Sequence, residues 1–494
     1  MTQAPNDTFN QVKPRDLHLQ IGGKAGLVQF TPKDLLVHHV DDVNARTRKL
    51  STSLINVLYA ELLPENIVKI ATLARRKKVH ALVFVEGKIR DPDTTEAAQA
   101  WISELMTMAY GDVAPHRRFK ILVNPGSGKG KGVHLFEKKV KPIFASAHCE
   151  VDAIVTKYPK HATELARSFA LDYDVLLTVS GDGLVFEVMD GFRDRPDAAK
   201  AFSIPVCPIP AGSGNALSIN LLGVEDGFDV ALASLNAIKG KPMSYDLCSF
   251  TQEGKTSISF LSQAIGLMAD LDLGTENLRW MGDARFIAGF LKGVVNNKPC
   301  PMTLAMKVTH RDKSQMVETL QQFKTNPPQV VDAALRDATS LEDWKSGISP
   351  RYAHEDTNGP DWFTFEKPVL YVYSGTMPYV GRDLMAFPVA LPSDGLVDIS
   401  VQEMVSRSLM VKMISGGEKG DQFWLPSHHY FKAEAYRLRP HAPSGHLSID
   451  GERFPYKEFH VETLKGLGTT LSMTGAWFSG DFGKGKMPAS KTTD

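Results

Sequence analysis

The chain has 494 residues, more than one ordinary domain holds, so two or three domains are expected. Its 56 basic side chains match 56 acidic ones, which removes any net-charge argument for a nucleic-acid partner. No run approaches the ~20 apolar residues of a membrane-spanning helix, and the start, Met1 to Asp7, has no signal-peptide core. Thr2 stands where myristoylation needs glycine. The cysteines, Cys149, Cys207, Cys248 and Cys300, show no paired spacing and read as free thiols of a reducing compartment.

Residues 1–16 read as a flexible tail. Short strand-like runs follow at 26–30, 35–39, 54–63, 68–71 and 80–85. Asp93-Thr94-Thr95-Glu96 reads as a capping box. It opens a helix with Ala98, Trp101, Ile102, Leu105, Met108 and Ala109 on one face. Strands closed by one helix make residues 17–112 a small β-rich module, a pattern compatible with a pleckstrin-homology-like domain.

From Arg118 the pattern alternates. Strands are expected at 120–123, 151–156, 175–179 and 204–209. Helices are expected at 133–144, with Phe136, Val140 and Ile143 inward, at 161–170, at 183–191 and after Gly214. Such alternation predicts an α/β domain over 116–246, a Rossmann-like parallel sheet with helices on its faces. Beyond it come strand-like runs at 257–261, 302–308, 369–373, 396–401, 436–438 and 447–449. They predict an antiparallel β-sandwich over 247–478, with a polar loop insertion at 311–362 and a disordered tail at 479–494. An amphipathic helix is expected at 283–295, with Ala284, Ile287, Leu291 and Val294 on one face and Phe286 and Phe290 beside it.

Three glycine-rich segments end strands of the α/β part. They are Asn124-Pro125-Gly126-Ser127-Gly128-Lys129-Gly130-Lys131-Gly132, Ser180-Gly181-Asp182-Gly183 and Pro210-Ala211-Gly212-Ser213-Gly214-Asn215. At the ends of one open sheet they predict a crevice of backbone N–H groups suited to a nucleotide's phosphates. The Walker A spacing cannot be placed on the first segment, and no GxGxxG opens a helix. Asp182, between two glycines, would stand exposed beside a phosphate. Taken singly, each segment also reads as an ordinary turn or cap, with Ser213 a candidate capping residue.

With these three segments, Gly266–Arg285 and Ser448-Ile449-Asp450-Gly451-Glu452 also on the page, residues 118–480 resemble a sphingosine kinase. That family phosphorylates sphingoid long-chain bases and falls within the diacylglycerol-kinase-like superfamily. The β-rich module resembles the extension of fungal and plant members. The resemblance implies ATP and Mg²⁺, and phosphorylation of the primary hydroxyl of a membrane-resident sphingoid base to the 1-phosphate. It assigns Asn124, Ser127, Lys129 and Thr156 to the nucleotide crevice, and Gly181, Gly183, Ser213 and Gly214 to phosphate contacts. Asp182 would be the catalytic carboxylate. Arg279 and Arg285 would reach the ATP phosphates, and Glu452 the base or ribose. Asp450 would lie near the metal, and Asp272 with Ser262 would hold the amino-alcohol head. A cytoplasmic protein touching intracellular membranes transiently is expected.

Gly126-Ser127 stands where animal members carry an arginine and a glycine, so one phosphate contact would be missing or replaced by Lys129. A diacylglycerol or ceramide kinase remains the alternative within the superfamily, and neither of those lipids carries the ammonium that Asp272 would meet. A non-catalytic lipid-binding protein is the alternative from another class.

Overall fold

The computed structural model describes residues 15–40, 46–275, 284–326, 351–414 and 416–483. The chain divides into two compact units. One is drawn from residues up to Arg117 together with Glu137–Glu150, the other from Arg118–Phe136 and the chain from Val151 onward.

The first unit holds seven antiparallel strands: β1 (Arg15–Ile21), β2 (Lys24–Phe30), β3 (Asp34–Val40), β4 (Arg46–Ser53), β5 (Val57–Leu63), β6 (Ile67–Arg76) and β7 (Val79–Ile89). They lie in the order β4-β3-β2-β1-β7-β6-β5. β1 and β4 were missed from sequence because Asp16, His18 and Gln20 in one, and Arg48, Lys49, Ser51 and Ser53 in the other, are polar and exposed, and Thr52 takes a buried position. The helix Thr95–Tyr110 follows. It buries Ala98, Trp101, Ile102, Leu105 and Ala109, with Trp101 edge-on to Phe30 at 5.0 Å and the Tyr110 hydroxyl donating to Leu58 O at 2.7 Å. The expected capping box does not close: Thr94 makes no side-chain cap, and its hydroxyl donates to Asp91 O at 2.7 Å.

In the second unit a four-stranded sheet has the order Val206–Pro210, Val175–Ser180, Arg118–Val123, Glu150–Val155. Val175–Ser180 pairs parallel with both neighbours for which registers are defined. Every residue of that central strand is buried, the continuous apolar pattern of a sheet covered on both faces. The helices Asp182–Arg193 and Ala216–Leu222 leave the C-terminal strand ends and bury Leu184, Val185, Val188, Leu217 and Leu221 in one core.

The remaining strands differ from a two-sheet sandwich. Eleven of them hydrogen-bond into one antiparallel sheet. Its spine is the pair Lys241–Gln252 and Phe459–Ser472, which runs from Lys241 opposite Ser472 to Thr251 opposite His460 with a register shift between Tyr245 and Leu247. The expected boundary at 246/247 therefore falls inside a strand. The stretch expected as a loop insertion contains the helix Lys313–Thr325, capped by Asp312 and burying Met316, Val317 and Leu320; residues 327–350 lie outside the described residues. The tail expected from 479 is packed at its start, where Phe482 is buried against Phe423 and stacks on Trp424. Residues 484–494 lie outside the described residues. The helix expected at 283–295 spans Ala284–Asn296. Its inward side presents Gly289, Phe290, Gly293 and Val294, while Leu291 is exposed, contrary to the expected face. The side chains of Ala284, Phe286 and Ile287 lie outside the described residues. All four cysteines are free, as expected.

Candidate active site

The three glycine segments meet at the strand ends. Ser180 closes its strand and ties the first segment down: its hydroxyl lies 3.1 Å from that of Ser127 and accepts from Asn124 Nδ2 at 3.4 Å. Asn124 Oδ1 accepts the Gly126 N–H at 2.9 Å. Ser127 is buried by this stitching. Gly128, with a φ of 60°, takes a left-handed backbone that favours glycine. The Lys129 backbone lies in the short helical turn Ser127–Gly130; its side chain lies outside the described residues.

The second and third segments are pressed backbone to backbone. Ala211 N–H donates to Ser180 O at 2.9 Å and Asp182 N–H to Gly214 O at 3.2 Å. A Cβ at Gly181 would sit 2.5 Å from Gly214 O, and one at Gly212 would sit 2.4 Å from Gly181 Cα. Only residues without a side chain permit that approach. Ser213 and Gly214 are left exposed at the rim.

Asp182 opens the helix Asp182–Arg193, yet its carboxylate serves the third segment. Oδ2 accepts the Ala216 N–H at 2.7 Å and Oδ1 the Leu217 N–H at 3.2 Å, so Asp182 caps the helix Ala216–Leu222 from outside the chain segment. Ser213 is not the cap. Burial pushes the Asp182 pKa above the ordinary carboxylate value, and the two N–H donors oppose that shift. Thr156 is buried after its strand, with its N–H on Val123 O at 2.9 Å. The segment beyond Thr156 is fastened by Glu187, whose carboxylate accepts Lys160 N–H and Ala162 N–H, each at 3.1 Å.

The antiparallel sheet contributes the turn Asp450-Gly451, with φ of 50° and 84°. Asp450 does not fit the metal position expected of it. Oδ1 accepts the Ser259 hydroxyl at 2.8 Å, Leu261 N–H at 3.0 Å and Ser262 N–H at 2.8 Å; Oδ2 accepts Phe260 N–H at 2.9 Å. Burial raises its pKa to about 6 against these donors. Its lone pairs are committed to shaping the turn. The turn carries Glu452 towards the second segment: a Cβ at Gly183 would lie 4.0 Å from Glu452 Oε1. On its other side, a Cβ at Gly451 would lie 4.0 Å from Asp272 Oδ2.

Asp272 sits half-buried on the helix Leu267–Leu273 and accepts a hydrogen bond from the Ser448 hydroxyl. Ser262 is buried; beyond its bond to Asp450, its hydroxyl lies 3.5 Å from that of Tyr373. Arg279 lies outside the described residues, as does the side chain of Arg285 at the start of Ala284–Asn296. Sequence reasoning missed Ser180, Ser448 and Asn220. Asn220 is signalled only as a second asparagine one turn into the helix after Gly214.

Residues 118–250 match the family model described as the diacylglycerol kinase catalytic domain. The chain is 32% identical over 446 residues to sphingoid long chain base kinase 4 of Schizosaccharomyces pombe, covering 89% of this chain and 92% of that one. It is 31% identical over 352 residues to human sphingosine kinase 1, covering 68% and 85%. A solved structure of a putative diacylglycerol kinase from Bacillus anthracis str. Sterne aligns over 72% of this chain and 97% of that one, at 18% identity and a TM-score of 0.49. The catalytic-domain match covers the three glycine segments, and the similarity to the first relative extends along nearly the whole chain. The chain therefore belongs to the sphingoid long-chain-base kinase family, within the diacylglycerol-kinase-like group.

Proposed function

We propose that the protein transfers the γ-phosphoryl group of ATP to the primary hydroxyl of a sphingoid long-chain base, giving the 1-phosphate. Phosphoryl transfer depends on positioning and charge neutralisation more than on covalent chemistry. The observation that carries the reading is the Asp450-Gly451 turn, which has Glu452 beside Gly183 on one side and Asp272 beside Gly451 on the other. A carboxylate able to meet an ammonium thus borders a crevice of phosphate-binding backbone.

Gly181, Gly183, Ser213 and Gly214 offer N–H and hydroxyl donors to the phosphates; Asn124, Ser127 and Thr156 shape the crevice wall. Lys129, Arg279 and Arg285 would supply positive charge to the phosphate oxygens. Asp182 acts as general base towards the substrate hydroxyl. Each of its oxygens takes one backbone donor and keeps room for another. Its raised pKa brings it nearer to the proton it must accept. Glu452 meets the base or ribose, and Asp272, braced by Ser448, holds the ammonium with Ser262 near the head.

Mg²⁺ usually takes one or two carboxylates besides phosphate oxygens. Asp182 and Glu452 are carboxylates beside the glycine segments themselves, so a cation arriving with ATP would find ligands there rather than at Asp450. Such an ion would neutralise charge on the transferred group. The N-terminal module is read as pleckstrin-homology-like, supported by its seven antiparallel strands and closing helix. The kinase works in the cytoplasm and visits membranes to reach its substrate.

The test is a kinase assay run in parallel on sphinganine, phytosphingosine, diacylglycerol and ceramide. Phosphate incorporation into the two free bases is expected. Preference for diacylglycerol or ceramide would overturn the substrate, and no ATP-dependent incorporation into any lipid would overturn the reaction.

A further inference from the structure

The seven-stranded sheet of the first unit has two hairpins closed by two-residue turns, and their chemistry differs. Between β1 and β2, Ile21 faces Lys24 across Gly22-Gly23, with φ of 56° and 81°. Glycine is what such a left-handed turn favours. Between β6 and β7, Arg76 faces Val79 across Lys77-Lys78, and Lys77 holds a φ of 59°. A long side chain occupies a backbone region that suits glycine or asparagine. The sequence therefore keeps a cation where the turn alone would select against it, the sort of local conflict that accompanies function.

The surroundings of this turn share one character. Arg75, Arg76, Lys77 and Lys78 are consecutive and exposed, and Val79 is 49% exposed beside them. No acidic residue occurs in the sequence between Glu65 and Glu86. Further down the same hairpin the charges are paired in the usual way: Lys69 lies 3.6 Å from Glu86 and over the Phe84 ring at 5.1 Å. The tip concentrates one sign of charge around an apolar side chain, in a chain whose net charge is zero.

We propose that the β6–β7 tip docks on an anionic lipid surface, with Arg76, Lys77 and Lys78 gathering acidic headgroups and Val79 entering the headgroup layer. Clustered lysine and arginine are attracted to anionic leaflets, and an apolar residue among them gains by leaving water. Lipid is favoured over an acidic protein because, on the kinase reading above, the substrate resides in a bilayer. No helix among the described residues is long and apolar enough to cross one.

The experiment uses the full chain and measures sedimentation with phosphatidylcholine vesicles, with and without phosphatidylserine. The variant is Arg76→Gln/Lys77→Asn/Lys78→Gln, in which asparagine suits the left-handed position and the thermal midpoint should not fall. Wild type is expected to bind the anionic vesicles selectively. The variant should bind them about 100-fold more weakly, at about fivefold per cation lost, and Val79→Ser should add a smaller loss. Equal binding by variant and wild type, equal wild-type binding to neutral vesicles, or no wild-type binding to either, would overturn the proposal. Activity on sphinganine in neutral detergent micelles should be the same in variant and wild type. Failure of the wild type in that micelle assay would count against the kinase reading alone.

Discussion

The crevice between the glycine segments and the pole around Asp272 are made of different material. In the crevice, backbone meets backbone: Asp182 N–H reaches Gly214 O at 3.2 Å, and side chains at Gly181 or Gly212 would collide with the opposite segment. Around Asp272 the contacts are made by side chains from distant parts of the chain, such as Ser448, 176 residues on. The first arrangement is written in contiguous glycines and persists wherever a strand end is followed by them. The second exists only once the antiparallel sheet has formed. Damage to the crevice should therefore affect ATP and turnover, whereas damage to the pole should affect the lipid alone.

The largest effect is expected from Asp182→Asn. Asparagine caps helices about as well as aspartate: its one oxygen keeps the shorter bond, to Ala216 N–H, while its NH2 forfeits the longer one, to Leu217 N–H, so the fold should survive with a small loss of stability. The substitution removes the base proposed above, and removal of one such group typically costs ~10²–10⁴-fold in rate. Turnover within threefold of wild type would remove Asp182 from the chemistry. Next comes the pair Gly181→Ala and Gly183→Ala. At Gly181 the new Cβ would meet Gly214 O at 2.5 Å, while at Gly183 its nearest neighbour is Glu452 Oε1 at 4.0 Å. Forcing the first contact costs about 1–3 kcal/mol. Calorimetry should then show ATP affinity falling by one to two orders of magnitude for Gly181→Ala, with a milder loss for Gly183→Ala. Equal losses would mean that the close approach of the two segments is not what shapes the phosphate site.

The same contrast explains what the sequence disclosed. The parallel sheet and its three glycine segments were legible because each is a run of neighbours with one periodicity. The strands Lys241–Gln252 and Phe459–Ser472 were not, because Asp246, Glu462 and Thr463 are buried within them and break the apolar pattern. The two carboxylates are met by groups far away in sequence, while the Thr463 hydroxyl has no hydrogen-bond partner. Asp246 accepts Gly395 N–H and Gly466 N–H, and Glu462 accepts Arg351 N–H and Tyr352 N–H. Asp450 was expected near a metal as a position in a motif, and its hydrogen bonding could not be read there. Four donors from 259–262 decide it.

At the pole, Asp272→Asn should raise the KM for sphinganine and leave ATP affinity nearly unchanged. Breaking a fully buried charged pair costs roughly 3–5 kcal/mol. Asp272 is half-buried and keeps its bond with Ser448, so a smaller loss, about tenfold to a hundredfold in KM, is expected. A proportionate rise in the KM for ATP would show that the two regions are not separable in this way. An unchanged sphinganine KM would remove Asp272 from head-group recognition.

The smallest effect concerns the link between the regions, the helix Ala216–Leu222. Its buried Asn220 donates from Nδ2 to Tyr379 O at 2.7 Å and to Ala216 O at 2.8 Å, and its Oδ1 accepts Tyr379 N–H at 2.9 Å. The helix whose first N–H groups hold Asp182 is thus anchored to the backbone of the short strand Tyr379–Gly381. Asn220→Leu would release that anchor and let Ala216 N–H and Leu217 N–H drift from the carboxylate. Those donors favour the charged form, so their loss raises the Asp182 pKa beyond the rise that burial already causes. A base must be ionised to accept a proton, so activity disappears as pH falls through its pKa. The acid limb of the kcat profile should therefore move to higher pH in Asn220→Leu, with about a tenfold loss of kcat below the new midpoint. Ser218→Ala is the control. It lies in the same helix and is equally buried, but its hydroxyl has no hydrogen-bond partner to lose, so its profile should match wild type. A lowered thermal midpoint with an unmoved acid limb would make Asn220 a packing residue only. A shift shared by both variants would trace the effect to the helix as a whole rather than to its bond with Tyr379.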